Sequence, residues 1–156
     1  MRYFILALSI ALVIYGCKKS SNPVASATPA LSVSQVSDSM QYTFAIPKAV
    51  FGIHDTLSAS FTAYNQSAEP ETLNTSIGTF QWSLKNDSGR TLMSGPPLLF
   101  NGPARRLILN PHQSQEIFEL YQAITDKSGA PVIAGSYTLQ GLLYGSMVFI
   151  LNLSLQ

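Results

Sequence analysis

Few side chains in this chain of 156 residues can do chemistry, since it holds two His and one Cys. His54-Asp55 is the one adjacent His/carboxylate pair. In a nucleophilic triad the carboxylate reaches the imidazole from elsewhere in space, so adjacency carries little weight and a surface turn between Phe51 and Leu57 is the simpler expectation. His112 and Glu116 have the i,i+4 spacing that sets two metal ligands on one helical face, but no third ligand of matching spacing accompanies them. Glu69 and Glu71 flank Pro70 in a segment that reads as a loop, where a solvated pair is expected. No Gly-x-Ser-x-Gly, phosphate-binding glycine loop or Cys-x-x-Cys occurs. The expectation is a non-enzyme with no catalytic residues, no metal and no cofactor.

Charge narrows the partners. Nine Lys and Arg against eight Asp and Glu leave a net +1, and charged residues make up 11% of the chain. A protein that binds nucleic acid by neutralising phosphates needs a surplus of cations, so that class is excluded. A hydrophobic fraction of 46% supplies a core. The single thiol, Cys17, sits in an informative place. Arg2 precedes an apolar run from Phe4 to Ile14, broken only by Ser9, which is short for a membrane-spanning helix of about 20 residues but suits a secretory signal. Ile14-Tyr15-Gly16-Cys17 resembles the lipobox of bacterial lipoproteins, with an aliphatic residue three before the Cys and a small residue directly before it. That resemblance implies cleavage before Cys17, diacylglycerol on its thiol and acylation of its amine. Several acyl chains anchor firmly, because each buried methylene contributes about 0.8 kcal/mol. An exported chain with one Cys also has no disulfide partner for it. Residues 1–16 are therefore expected to be a lipoprotein signal peptide, and the mature protein to sit in the cell envelope, held to a membrane through Cys17. The Asn-x-Ser sequons at Asn65, Asn74, Asn86 and Asn152 carry no weight in that setting.

The elements that must position any site follow. From Lys18 to Ser39 there are seven Ser, Pro23, Pro29 and no aromatic residue. Residues 17–40 thus read as a flexible linker spanning roughly 25 Å, although Leu31-Ser32-Val33-Ser34 alternates as a first strand would. Asp38-Ser39-Met40 also matches a short O-glycosylation motif of some bacteria. Beyond Tyr42 the period is two. Leu57, Ala59, Phe61 and Ala63 share a face, as do Phe80, Trp82 and Leu84, and then Met147, Phe149, Leu151, Leu153 and Leu155. Asn86-Asp87-Ser88-Gly89 supplies a hairpin turn with Gly89 at positive φ, after which Arg90 to Met93 should return antiparallel. Gly145 in Tyr144-Gly145-Ser146-Met147 favours a type II′ turn. The segment 111–124 fits either a helix capped at Asn110-Pro111 or a strand, and Ile117-Phe118 and Tyr121 favour the strand. Residues 41–156 are expected to form an all-β, antiparallel immunoglobulin-like β-sandwich, with Trp82 and Phe149 anchoring its core.

Four blocks carry a family resemblance: Leu57 to Ser67, Phe80 to Gly89, Leu109 to Ser114, and Gly135 to Gly141. Together they resemble the bacterial intracellular proteinase inhibitor domain, BsuPI, over about 90 to 100 residues. That family has a strand ending in Asn and a small polar residue, an aromatic strand closing on Asp-x-Gly, a Leu-x-Pro corner and a Gly-x-Tyr strand. The corner here reads Pro111-His112-Gln113 where the family has Pro-Gly-Glu, and this chain carries an export signal. The resemblance implies a protein-binding domain with a proteinase among its candidate partners; the alternative is a structural or assembly lipoprotein of an envelope complex without inhibitory activity. The candidate contact is Leu98, Leu99 and Phe100, in a segment that Pro96, Pro97, Asn101-Gly102 and Pro103 should keep irregular. These three side chains either meet a partner or fold back to plug one end of the sandwich.

Overall fold

The computed structural model describes residues 31–75, 79–95, 105–128 and 130–156. Alternation of buried and exposed side chains dictates strands throughout these residues, and no helix interrupts them. The strands are β1 (Leu31–Ser37), β2 (Met40–Ile46), β3 (Val50–Phe51), β4 (Thr56–Asn65), β5 (Glu71–Thr75), β6 (Phe80–Asn86), β7 (Thr91–Gly95), β8 (Arg105–Leu109), β9 (Ser114–Ala123), β10 (Gly135–Leu143) and β11 (Met147–Leu155). A four-stranded sheet runs β1-β2-β4-β9 and a five-stranded sheet runs β3-β11-β10-β6-β7, while β5 and β8 pair separately. All neighbours are antiparallel except β3, which lies parallel to β11. Consecutive strands β2 and β3 thus belong to different sheets.

The two sheets bury their apolar faces against each other, as a β-sandwich requires. Leu57, Ala59, Phe61 and Ala63 of β4 face inward, as do Phe80, Trp82 and Leu84 of β6, and Phe149 through Leu155 at every second position of β11. Phe61 is central: its ring centroid lies 5.1 Å from Phe80, 5.2 Å from Phe118 and 5.0 Å from Phe149. A Cβ at Gly141 would stand 2.9 Å from the tip of Phe80, so glycine in β10 is what lets that ring lie across the strand. Trp82 is 3% exposed, and its indole N–H has no acceptor among the described residues. Tyr137, near the start of β10, turns its hydroxyl back to donate to the Ile133 carbonyl at 2.7 Å.

The segment 111–124 is resolved in favour of a strand, β9, because Phe118 and Leu120 are buried at a period of two. Two expectations are corrected. The stretch 31–40, assigned to the linker, forms β1 and its turn, since Leu31, Val33 and Gln35 half-bury while Ser32, Ser34 and Val36 stay exposed, and β1 pairs with β2 along its whole length. The β10–β11 turn has positive φ at both Tyr144 (52°) and Gly145 (69°), with the Ser146 N–H donating to the Leu143 carbonyl at 3.1 Å. That is the type I′ signature, one residue earlier than the type II′ turn expected. The Asn86–Gly89 turn is as expected, with Gly89 at φ 80°.

Strand direction gives the sandwich two distinct ends. Leu31 pairs with Ile46 at one end and Ser37 pairs with Met40 at the other. Asn65 is opposite Met40 and so shares the second end with the β1–β2 turn, whereas Leu155 is opposite Phe51 at the first. Asn65 is fully buried and ties that second end together. Its side-chain amide donates toward the carbonyls of Glu69 (2.8 Å), Leu109 (3.0 Å) and Asn110 (3.2 Å), and its carbonyl oxygen accepts from the Ser67 N–H and hydroxyl at 2.8 Å each.

Candidate functional site

The residues singled out for chemistry do not assemble. His54 is exposed beside an open, largely apolar cleft of about 420 Å³ lined by Ile53, Ile124, Pro131 and Val132. Its neighbour Asp55 is drawn away to Lys48 Nζ and the Gly52 N–H, and these contacts, with Lys48 first, hold its carboxyl below the usual range. Asp126 on the same cleft accepts from the Ser128 hydroxyl and backbone and pairs with Arg90 at 2.8 Å. His112 sits at φ 59° in a turn with its ring near the Tyr64 hydroxyl at 3.4 Å, and Glu116 is exposed on β9, so the i,i+4 pair has no helix to share. Among the described residues no three His, Cys, Asp or Glu side chains gather as metal ligands. Cys17 and the candidate contacts Leu98, Leu99 and Phe100 lie outside the described residues.

A different set converges at the Asp38 end. The β1–β2 turn, β5 and the β10–β11 turn enclose a cleft of about 310 Å³ whose walls include Asp38, Ser39, Tyr42, Glu71, Asn74, Tyr144 and Met147. Period-two geometry puts Tyr42 on the inner face of β2, at 5% exposure, with its ring stacked on Phe61. The hydroxyl end reaches the cleft floor beside Tyr144, whose ring stands edge-on at 6.4 Å and 78°. Burial, with help from Tyr144, Asp38 and Glu71, pushes the Tyr42 phenol up to about 12. Burial also raises Tyr144. Glu71 is half-buried and accepts from the Ser39 hydroxyl, and the Tyr144 hydroxyl lies 3.4 Å from the Asn74 carbonyl. Two residues other than glycine at positive φ, Asp38 (55°) and Tyr144, line this one cleft.

Next to Met147 the outer face of the five-stranded sheet continues the surface. Val148 (37% exposed) is opposite Leu142, and Ile150 (54% exposed) is two residues further along β11. The alternation of β11 made its outward positions visible from sequence. The cleft was not visible, because Tyr42, Glu71 and Tyr144 come from three separate parts of the chain.

No family model and no curated protein matches the sequence. Similar solved structures include an alkylpurine DNA glycosylase of Pseudomonas fluorescens, bound to DNA with an abasic site analogue, at 15% identity and a TM-score of 0.45, covering 69% of this chain and 27% of that one. Others are a β-glucosidase of Listeria innocua at 9% identity and a TM-score of 0.48 (78% and 16%) and a β-glucosidase of Erythrobacter marinus at 12% and 0.45 (81% and 15%). The chain therefore spans at most 27% of these three proteins.

Proposed function

We propose that the protein is a lipoprotein of the cell envelope, anchored through Cys17, whose immunoglobulin-like sandwich is a non-catalytic module that binds a protein partner with the end far from the membrane. The immunoglobulin-like reading is supported by the separation of β2 and β3 into opposite sheets, the parallel β3–β11 pairing, the buried Trp82 on β6, and the Tyr137 hydroxyl returning to a backbone carbonyl at the entry to β10. The observation that carries the functional reading is polarity. A tether ending at Leu31 enters at the Ile46 end, and β1 then runs roughly 20 Å before the chain turns at Asp38, where the cleft and the start of the Leu142, Val148 and Ile150 surface are. Exposed aliphatic side chains on a rigid sheet, beside a concave polar site, are what a protein contact uses. The BsuPI resemblance makes a proteinase one partner to assay.

Photo-crosslinking in membranes tests this. A crosslinker in place of Val148 should capture a discrete partner, one in place of Ser88 at the opposite end should not, and Cys17→Ser should release the protein from the membrane fraction. Capture from position 88 alone, or retention of Cys17→Ser on the membrane, would overturn the reading.

A further inference from the structure

We propose that the end of the sandwich where the tether enters rests on the lipid bilayer that holds Cys17, with the connection before β10 as its contact, an inference that rests on the reading of Cys17 as a lipid anchor. Residues 130–136, which lead into β10, read Ala-Pro-Val-Ile-Ala-Gly-Ser and hold no charge, although most of them are exposed. Ile133, at 73%, is the most exposed large apolar side chain among the described residues. The fold imposes that exposure. The Tyr137 hydroxyl donates to the Ile133 carbonyl, which fixes the backbone there and leaves the side chain outside. Ile53, Pro131 and Val132 line the open cleft beside it, so apolar surface from the β3–β4 and β9–β10 connections meets at one place. Connections that face water are ordinarily polar, and an exposed apolar surface on a rigid frame marks a contact.

The place of this surface identifies what covers it. Thr56 pairs with Ala123, and Gly135 pairs with Leu155 opposite Phe51, so both connections leave the sheets at the end where Leu31 pairs with Ile46. Residues 17–30 of the expected tether number fourteen, and a coil of that length spans roughly 20 Å. The anchor therefore holds this end, and not the Asp38 end, within reach of the headgroups. A tethered surface is at high local concentration, so even a weak apolar contact is populated. Charge agrees with that orientation. Lys48 pairs with Asp55 and Arg90 with Asp126, and Lys127 and Asp87 nearly cancel, whereas Asp38, Glu69 and Glu71 stand at the opposite end. Lys48 and Arg90 can lay their stems along the apolar surface with their heads at the phosphates, and Lys18 and Lys19 follow Cys17 directly. Apolar side chains at the acyl boundary under a rim of cations are what an interfacial contact uses.

The experiment uses the lipidated full chain, whose single native thiol the lipid occupies, in vesicles of phosphatidylethanolamine and phosphatidylglycerol that carry a doxyl quencher on their acyl chains. An environment-sensitive fluorophore is attached at Ala134→Cys or, at the far end, at Ser37→Cys. Blue-shifted emission and quenching by the lipid are expected at position 134 and neither at position 37. Ile133→Asp should cut the ratio of docked to free domain about ten-fold or more, read as lost quenching at position 134. It should leave the melting temperature unchanged, because the side chain is exposed and the carbonyl that Tyr137 uses is kept. No quenching at position 134, equal quenching at both positions, or quenching that survives Ile133→Asp would overturn the inference. So would a blue shift at position 134 without lipid quenching, the mark of contact between copies of the chain. In each of those results the protein still floats with the vesicles and the anchor reading stands; a chain that does not float would overturn that reading and the inference with it.

Discussion

Replacing Asn65 tests whether one buried amide holds the Asp38 end of the sandwich. Its NH₂ carries two hydrogens and faces three carbonyls, so at any moment two are fully served, while its oxygen takes both donors of Ser67. Each hydrogen bond contributes a net ~0.5 to 1.5 kcal/mol, and a partner left buried and unpaired costs about 1 to 3 kcal/mol. The Leu109 carbonyl is the partner in the most buried of these bonds, and water can reach the part-buried others. Asn65→Ala should therefore cost roughly 3 to 5 kcal/mol, a large share of the ~5 to 15 kcal/mol that a domain has. Asn65→Asp has a sign as well as a size. It sets a carboxylate oxygen against three carbonyl oxygens, which favours the protonated acid and raises the folded-state pKa of the introduced carboxyl above its unfolded value near ~3.9. Protonated, that carboxyl can donate to one carbonyl; ionised, it repels all three. The deficit against the parent should thus be smallest below about pH 4 and grow as pH rises through the shifted pKa. Urea unfolding at pH 4 and pH 7 reads both quantities. A loss under about 1 kcal/mol for Asn65→Ala, or a deficit for Asn65→Asp that does not change with pH, would refute the account.

Two further perturbations follow from the packing and the charges. Gly141→Ala should destabilise by about 1 to 3 kcal/mol in the same assay despite the better strand propensity of Ala, because Phe80 is wedged among Phe44, Phe61 and Phe118 and cannot yield to the added methyl. The Asp126 carboxyl is held below its usual range, first by the Ser128 hydroxyl and then by the Ser128 backbone and Arg90. A depressed folded-state pKa contributes stability that is present above the unfolded value and lost as pH falls through the folded one, so Asp126→Asn should lose less of its urea midpoint between pH 7 and pH 3 than the parent does. An identical acid loss in both proteins would count against that linkage.

How far the sequence discloses these features depends on whether the relevant physics is local. The inward faces of β4, β6, β10 and β11 are legible because one side of each strand must be apolar, and period two writes that requirement directly into the chain. β9 is readable for the same reason once Phe118 and Leu120 are weighed against a helical period. β5 and β8 are five residues each, one mostly polar (ETLNT) and the other two Arg followed by three aliphatic residues (RRLIL), and among the described residues they pair with one another alone, so no alternation announces them. β1 is half-legible: its Ser-rich composition resembles a linker because its outer face is solvated, and only the half-buried inner positions betray the strand. Asn65 illustrates a further limit. In sequence it heads an Asn-x-Ser triplet like three others, whereas in the fold its side chain closes on Ser67 and is buried, so burial by distant carbonyls sets it apart.

The cleft belongs to the part that is not local. Tyr42 reads as a core residue of β2, and most of it is one, yet its hydroxyl reaches the cleft because the β10–β11 turn stands over it. Glu71 reads as half of a solvated loop pair with Glu69, but the start of β5 half-buries it against Ser39 while Glu69 stays exposed. Asp38 reads as linker, and Tyr144 as a residue preceding a glycine turn. Each ordinary role is satisfied by a residue that also lines the cleft. What singles out the constellation is the sum of small local costs in one place: two positive-φ side chains, two carboxylates with no ion-pair partner among the described residues and a phenol made harder to ionise, all within one concavity. A sandwich needs none of these for its stability. Asn or Gly at position 144 would make a better turn, and Gln at position 71 would still accept from Ser39 without a half-buried charge.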